Sequence, residues 1–232
     1  DLLGAGFAAA WTDTDDDGDL DLIVANDFGR QLGNRCFRND GGSFSQDPGC
    51  GVAIPMDAMG IAVGDYDGDL RLDLYLSERF GERLFRGTDS GFVETTAGDG
   101  ALGDASDPSR GTAWGPEFLD WDGDGWLDAV LAFGDEFGHE AARDRLFHNV
   151  GGRFEEVEEP GFPAPFDTRG LARLDLDLDG CEDLAAHGPT GFSLLRNGCA
   201  PRSWIGIELE GTESPRNPAG ARVLVDGGDR PQ

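Results

Sequence analysis

The sequence predicts an all-β chain arranged as a β-propeller, with four visible blades that form part of a larger ring. Three observations lead there. An aspartate-rich string, DTDDDGDLD at residues 13–21, returns as DYDGDLRLD at 65–73, DWDGDGWLD at 120–128 and DLDLDGCED at 175–183. The strings start 52, 55 and 55 residues apart, a fixed period that marks stacked or radially arranged units. Each string is framed by short apolar runs and Gly-rich turns, about four runs per unit, which is the pattern of a propeller blade. Short strands between turns also fit a sandwich, but strict repetition favours the propeller. Radial closure leaves only short, protected edges.

The runs recur in a fixed order. One leads into each string: GFAAAWT, MGIAVG, GPEFL and GLARL. A second leaves it: LDLIVA, LDLYLS, LDAVLA and EDLAAH. In LDLYL, alternation would put Leu72, Leu74 and Leu76 on one face. A third follows: RCFRND, RLFRGT, RLFHNV and SLLRNG. After a Gly-rich turn, a fourth starts at Phe44, Phe92 and Phe154 in the first three units.

Composition narrows the function. The 232 residues include 46 acidic and 18 basic ones, a formal net charge of −28. Such a surface repels nucleic acid and anionic membranes and attracts cations. With 38% hydrophobic residues and 15 Phe, the chain has the apolar content that disordered acidic chains lack. The 37 Gly and 12 Pro imply many turns and argue against long helices. No run approaches the roughly 18 apolar residues of a membrane span. The chain begins at Asp1 rather than Met, so a processed or truncated start is expected.

The four cysteines show no CxxC spacing, which argues against a zinc site. Their positions suggest two local pairs, Cys36–Cys50 and Cys181–Cys199; four unpaired buried thiols are the alternative. Pairing implies an oxidising, extracellular compartment.

The strings read as metal loops. In the first, Asp13, Asp15 and Asp17 take positions 1, 3 and 5, and Gly18 takes position 6, where a sharp turn needs positive φ. Asp19 offers a backbone carbonyl at position 7, and Asp21 closes the loop at position 9. Carboxylates, a carbonyl and water supply the six to eight hard oxygens that Ca²⁺ takes, and the ion cancels the repulsion within the string. The third loop keeps the pattern with Asp120, Asp122, Asp124, Gly125, the Trp126 carbonyl and Asp128. So does the fourth, with Asp175, Asp177, Asp179, Gly180, the Cys181 carbonyl and Asp183.

The second loop has Asp65, Asp67, Asp69 and Asp73 in place but Leu70 at position 6. Left-handed geometry there costs a non-Gly residue roughly 1–2 kcal/mol. Three to four calcium ions are therefore expected, with the 65–73 site weakest or built on a shifted turn at Gly68. An EF-hand needs Glu at position 12 and flanking helices, but Val24, Leu76, Leu131 and Ala186 stand there, within predicted strands. Magnesium fits less well because it keeps its waters. Merely acidic turns are the alternative, and four strings in register argue against it.

With these loops in view, residues 5–200 resemble the FG-GAP/VCBS repeat family, which includes the integrin α-subunit propeller with calcium loops between blade strands. From Ser203, SWIGIELEGTESPRNPAGARVLV is similar to the start of an ASPIC/UnbV domain, which follows such repeats in cartilage acidic protein and bacterial secreted proteins. The residues that carry it are Trp204, Ile205, Ile207, Leu209, Gly211, Gly220, Ala221, Arg222 and Val223. Asn217-Pro218 departs from the expected pattern. The resemblance implies propeller blades over 1–200, an incomplete β domain over 201–232 and an extracellular calcium-binding protein.

Catalytic candidates are few. His139 lies in the insertion GDEFGHEAARDR, where HExxR is not a zinc-protease motif. His148 aligns with the RCFRN run and reads as an ordinary strand residue, and His187 follows a strand without a visible partner. There is no GxSxG nucleophile elbow. Paired carboxylates for glycoside hydrolysis cannot be singled out among so many acids. The expectation is no enzyme.

Trp11, Trp114, Trp121 and Trp126 lie in or near the loops. They would either stack on sugar or pack between blades, and packing is the preferred reading. Trp204 is assigned to the core of the C-terminal domain. The loop at 97–116 and the insertion at 134–145 are the places for a variable binding surface, with Arg110, Arg143 and Arg145 either facing a ligand or simply solvated.

The leading expectation is a binding or adhesion module for a protein or carbohydrate ligand, with structural calcium. The others are a non-catalytic part of a larger secreted enzyme and a calcium-rigidified surface protein.

Overall fold

Four antiparallel meanders follow one another along the chain, each made of strands paired in sequence order. The computed structural model describes residues 4–79, 81–98, 111–134, 143–158, 160–162, 167–189, 191–199, 204–212, 220, 221 and 223. The first sheet contains β1 (Ala5–Thr12), β2 (Asp21–Asp27), β3 (Arg35–Asp40) and β4 (Ser43–Gln46), with one helical turn α1 (Gly29–Leu32) between β2 and β3. The second contains β5 (Ala58–Gly64), β6 (Asp73–Glu78), β7 (Gly81–Thr88) and β8 (Gly91–Glu94). The third contains β9 (Thr112–Leu119), β10 (Asp128–Gly134), β11 (Arg145–Asn149) and β12 (Phe154–Glu156). The fourth has three strands among the described residues: β13 (Gly170–Leu174), β14 (Asp183–Gly188) and β15 (Gly191–Leu195).

These are propeller blades. The first strand of each sheet packs on the first strand of the next, β1 on β5, β5 on β9 and β9 on β13. The approach is close: a Cβ on Gly60 of β5 would fall 2.4 Å from Pro116 Cδ and from the Trp114 carbonyl oxygen. Every aspartate string joins the first strand of its blade to the second, and the antiparallel alternation brings all four strings to one end of their blades.

The core lies between blades. Ile23 and Ala25 of β2 meet Ala58, Leu74, Leu76 and Phe85 of the second blade. Tyr66, Tyr75 and Leu84 of the second blade meet Phe118, Leu131, Phe147 and Phe154 of the third, with the Tyr66 and Phe154 rings 5.5 Å apart. Leu119, Val130 and Leu146 meet Leu184 of the fourth. A blade in the middle is therefore buried on both faces. In β6, Leu74 and Leu76 face the first blade while Tyr75 faces the third, and every residue of β10 is buried. Leu74 and Leu76 thus share a face as LDLYL predicts, but two-sided packing buries the other face as well, and Leu72, 40% exposed, precedes the strand.

Both expected disulfides form: Cys36–Cys50 anchors β3 to the connection after β4, and Cys181–Cys199 ties the fourth string to the chain after β15. No described helix is long and apolar enough to cross a membrane. Trp204 is 55% exposed and lies over Gly180 of the fourth string, not within a core. Arg222 lies outside the described residues.

The loop closed by Cys36–Cys50 spans 14 residues, so replacing both cysteines with alanine should cost about 3 kcal/mol, measured by urea denaturation against the parent.

Candidate metal loops

One hydrogen-bond network is repeated four times. The carboxylate at position 1 accepts the amides of positions 5 and 6: Asp13 from Asp17 and Gly18, Asp65 from Asp69 and Leu70, Asp120 from Asp124 and Gly125, Asp175 from Asp179 and Gly180. Position 5 accepts the amide of position 7, at 2.8 Å for Asp17 and Asp124 and 2.9 Å for Asp69 and Asp179. In the first loop Asp19 also reaches out, its carboxylate accepting the Gly41 amide of the β3–β4 turn.

Position 9 makes the connection that leaves the loop. Asp21, Asp73, Asp128 and Asp183 are all buried at the start of a second strand. One carboxylate oxygen of each accepts the position 2 amide of its own loop, from Thr14, Tyr66, Trp121 or Leu176. The other accepts an amide at or beyond the end of the third strand, from Asn39, Gly87, Asn149 or Asn197. Loops are also coupled across blades. The Asn149 side chain donates to the Tyr66 carbonyl at 2.7 Å, and Asn197 donates to the Trp121 carbonyl at 2.6 Å.

The backbone has two left-handed positions per loop, where one was expected. Position 6 is occupied by Gly18, Leu70, Gly125 and Gly180, with φ of 93°, 70°, 86° and 88°. Position 4 is occupied by Asp16, Gly68, Gly123 and Leu178, with φ of 64°, 74°, 72° and 59°. The second loop thus keeps the common frame and makes no shifted turn at Gly68. It does carry the anticipated strain at Leu70, but Leu178 gives the fourth loop the same penalty two positions earlier. Strain alone does not set the 65–73 loop apart.

The loops bring carboxylates together at a cost. Asp13, Asp15 and Asp17 hold ligand oxygens within 4.8 Å of one another, as do Asp65, Asp67 and Asp73, then Asp120, Asp122 and Asp124, and Asp175, Asp177 and Asp183. A hard cation with oxygen ligands at about 2.3–2.6 Å spans such a group, so the donor set fits Ca²⁺. Burial pushes the Asp73 carboxyl up to about 8 and the Asp128 carboxyl to about 6, against the backbone amides that favour their charged forms. Asp65, Asp67 and Asp120 are raised too, first by desolvation, and neighbouring loop carboxylates add to it.

A basic side chain from the third strand or its end faces each loop. Arg38 lies 2.9 Å from Asp15, Arg86 lies 2.6 Å from Asp67, and Arg196 pairs with Asp177. In the third blade the equivalent residue is His148, with Nδ1 3.1 Å from Asp128 Oδ1 and 3.7 Å from Asp122 Oδ2. Reading His148 as an ordinary strand residue missed this. The signal was present: RCFRN, RLFRG, RLFHN and LLRN each place a base at the same point of the run.

The aromatics divide. Trp126 packs on Gly68 of the preceding loop, between blades as expected. Trp114 also packs between blades, 5.7 Å from the Phe7 ring and beneath the Arg169 guanidinium at 4.2 Å. Trp121 meets Phe162 edge-on at 5.7 Å, whereas Trp11 is 57% exposed and, among the described residues, its ring meets the exposed Phe44 of its own blade edge-on. Arg145 is not a solvated charge: it pairs with Glu156 and lies over Phe147. His139, Arg110 and most of the 97–116 and 134–145 segments lie outside the described residues.

Fold and loops together define a β-propeller whose four described blades each carry one acidic loop that could hold a metal ion. The FG-GAP-like repeat profile matches residues 13–76 and 120–186, more than half of the chain, and the protein belongs to that family. No curated protein sequence matches the chain. Among solved structures it is similar to an Agrocybe aegerita lectin described for its recognition of non-reducing terminal N-acetylglucosamine, at 18% identity and a TM-score of 0.43 over 81% of this chain and 51% of that one. It is also similar to Trypanosoma rangeli sialidase in complex with the inhibitor DANA, at 13% identity and a TM-score of 0.43 over 75% of this chain and 28% of that one. The chain thus spans about half of the lectin and little more than a quarter of the sialidase.

Two outcomes are expected. Leu70→Gly and Leu178→Gly should each raise stability by about 1 kcal/mol in denaturant titrations, since each relieves one left-handed side chain. In chelator, the folded chain holds protons on Asp73 and Asp128 that the unfolded chain has already released. These raised values make metal-free stability greatest below about pH 4 and lower as pH rises through about 6 and then 8. Melting curves in chelator from acid to mildly alkaline pH check the sign, and Asp73→Asn should flatten the upper part of the fall.

Proposed function

We propose that the chain is an extracellular calcium-binding propeller that acts as a binding or adhesion module for a protein or glycan ligand, with calcium in a structural role. The observation that supports calcium is the fourfold network itself. It spends backbone amides on holding carboxylates against one another, at positions 1, 3 and 5 or 1, 3 and 9. Calcium bound there would supply the positive charge that these groups lack. Asp13, Asp15, Asp17, Asp65, Asp67, Asp73, Asp120, Asp122, Asp124, Asp175, Asp177 and Asp183 would hold it, with Asp69, Asp179 and the position 7 residues shaping the turn.

The rigid loops would fix one end of the blades, leaving the other end to present a binding surface. At that other end, Trp114, Arg169 and Asp167 are already packed together, with Arg169 Nε 2.9 Å from Asp167 Oδ1. Two buried disulfide-bonded cysteines in the first blade and a second disulfide in the fourth support an oxidising compartment. In this reading the chain binds its ligand and does not turn it over, and residues 201–232 are of ASPIC/UnbV type.

Calorimetry on the chelator-stripped chain should count three or four calcium ions, and melting curves should rise with calcium. Asp122→Ala or Asp177→Ala should each lose one ion and lower the calcium-dependent rise. A melting temperature that ignores both chelator and calcium in the parent would remove the structural role. Affinity should weaken toward acid pH, because the ligands must be deprotonated.

A further inference from the structure

We propose that the third loop takes a zinc-class transition-metal ion through His148 Nδ1, Asp122 and Asp128, with a fourth ligand position open to an adjoining cleft. The inference rests on the loops being metal sites but concerns a different ion and a different donor set.

The comparison among blades is the starting point. The base facing the loop is arginine in blades one, two and four, and a guanidinium has no lone pair to give a metal. Only the third blade has an imidazole there, and imidazole is a preferred ligand of zinc and its neighbours.

The spacing fits. Zn–N and Zn–O bonds of about 2.0–2.2 Å in a tetrahedron put ligand atoms roughly 3.4 Å apart. His148 Nδ1 lies 3.1 Å from Asp128 Oδ1 and 3.7 Å from Asp122 Oδ2, on either side of that value. All three donor atoms fall within 4.8 Å of one another, as a group separate from Asp120, Asp122 and Asp124 that shares only Asp122. Both Asp128 oxygens are positioned by backbone amides, Oδ1 by Asn149 and Oδ2 by Trp121, and Asp122 Oδ1 is held by the Asp124 amide, leaving Oδ2 toward the imidazole.

The surroundings also fit an open site. Asp122, Asp128 and His148 line a cleft of about 220 Å³ whose other walls are Trp121, Leu146, Val157 and Pro160. Three protein ligands facing a partly apolar cleft leave room for water or a small donor at the fourth position, the arrangement that distinguishes open zinc sites from closed structural ones. Because Asp122 serves both donor sets, zinc and calcium compete at this loop alone. Imidazole favours zinc over a hard alkaline-earth ion, and the other three loops face arginine instead, so calcium there is untouched.

The test is zinc titration of the calcium-loaded chain by calorimetry, with Co²⁺ as a spectroscopic probe of the same site. The expected result is one tight equivalent and the visible absorption of tetrahedral Co²⁺. His148→Arg installs the residue that the other three blades carry, so the variant should fold and keep its calcium stoichiometry while zinc affinity falls by about 100-fold. His139→Ala and His187→Ala should leave zinc binding unchanged. Zinc binding of equal strength in His148→Arg, or none in the parent, overturns the assignment. Zinc binding by a parent that binds no calcium would sustain this site and reject calcium; the reverse would do the opposite.

Discussion

The ninth aspartate of each string is the constraint on which the blades depend. Its two oxygens accept amides from two directions, its own loop and the end of the third strand, and so fix the loop against the sheet. A carboxylate is suited to this because it is acceptor-only, with room for several donors. It stands at the first residue of the second strand, buried under the turn it closes. Moving it would release the loop, the end of the third strand and the register between them.

That arrangement creates an electrostatic problem and distributes its solution. Burying acids near other acids raises their pKa values, so the loops favour either protons or a cation. Partial compensation comes from the chain itself. The arginines of the third strands in blades one and two, and Arg196 just past β15, pair with the third loop position. Backbone amides donate to the position 1 carboxylates. A bound divalent ion would take the remaining charge. His148 departs from this scheme and makes the third loop chemically distinct.

Cooperation between blades follows from the same loops. The second residue of a loop gives its amide to the ninth and its carbonyl to an asparagine of the next blade, as at Tyr66 with Asn149 and Trp121 with Asn197. The Asp120 amide donates to Glu182 of the fourth blade at 2.8 Å. Ordering one loop therefore bears on its neighbour through direct hydrogen bonds, beside the apolar packing of Tyr66, Phe118 and Phe154.

The sequence by itself marked the four-strand pattern of the first three blades, the carboxylate positions of the loops and the two local cysteine pairs that the structure then joined. Each of these is local: alternating short apolar runs, a glycine where φ is positive, a carboxylate two residues from the next, a cysteine within a short loop of its partner. Tertiary structure decided what local pattern does not encode. Two-faced burial of β6 and β10 arises because blades lie on both sides of them, so period-two alternation there vanishes. The second left-handed position at Asp16 and Leu178 arises because the loop must turn twice to present its acids inward, whatever residue is available. His148 shows the limit most directly. Its neighbours in sequence mark it as a strand residue, and only the folding of the third strand back beside the loop places its imidazole against Asp122 and Asp128.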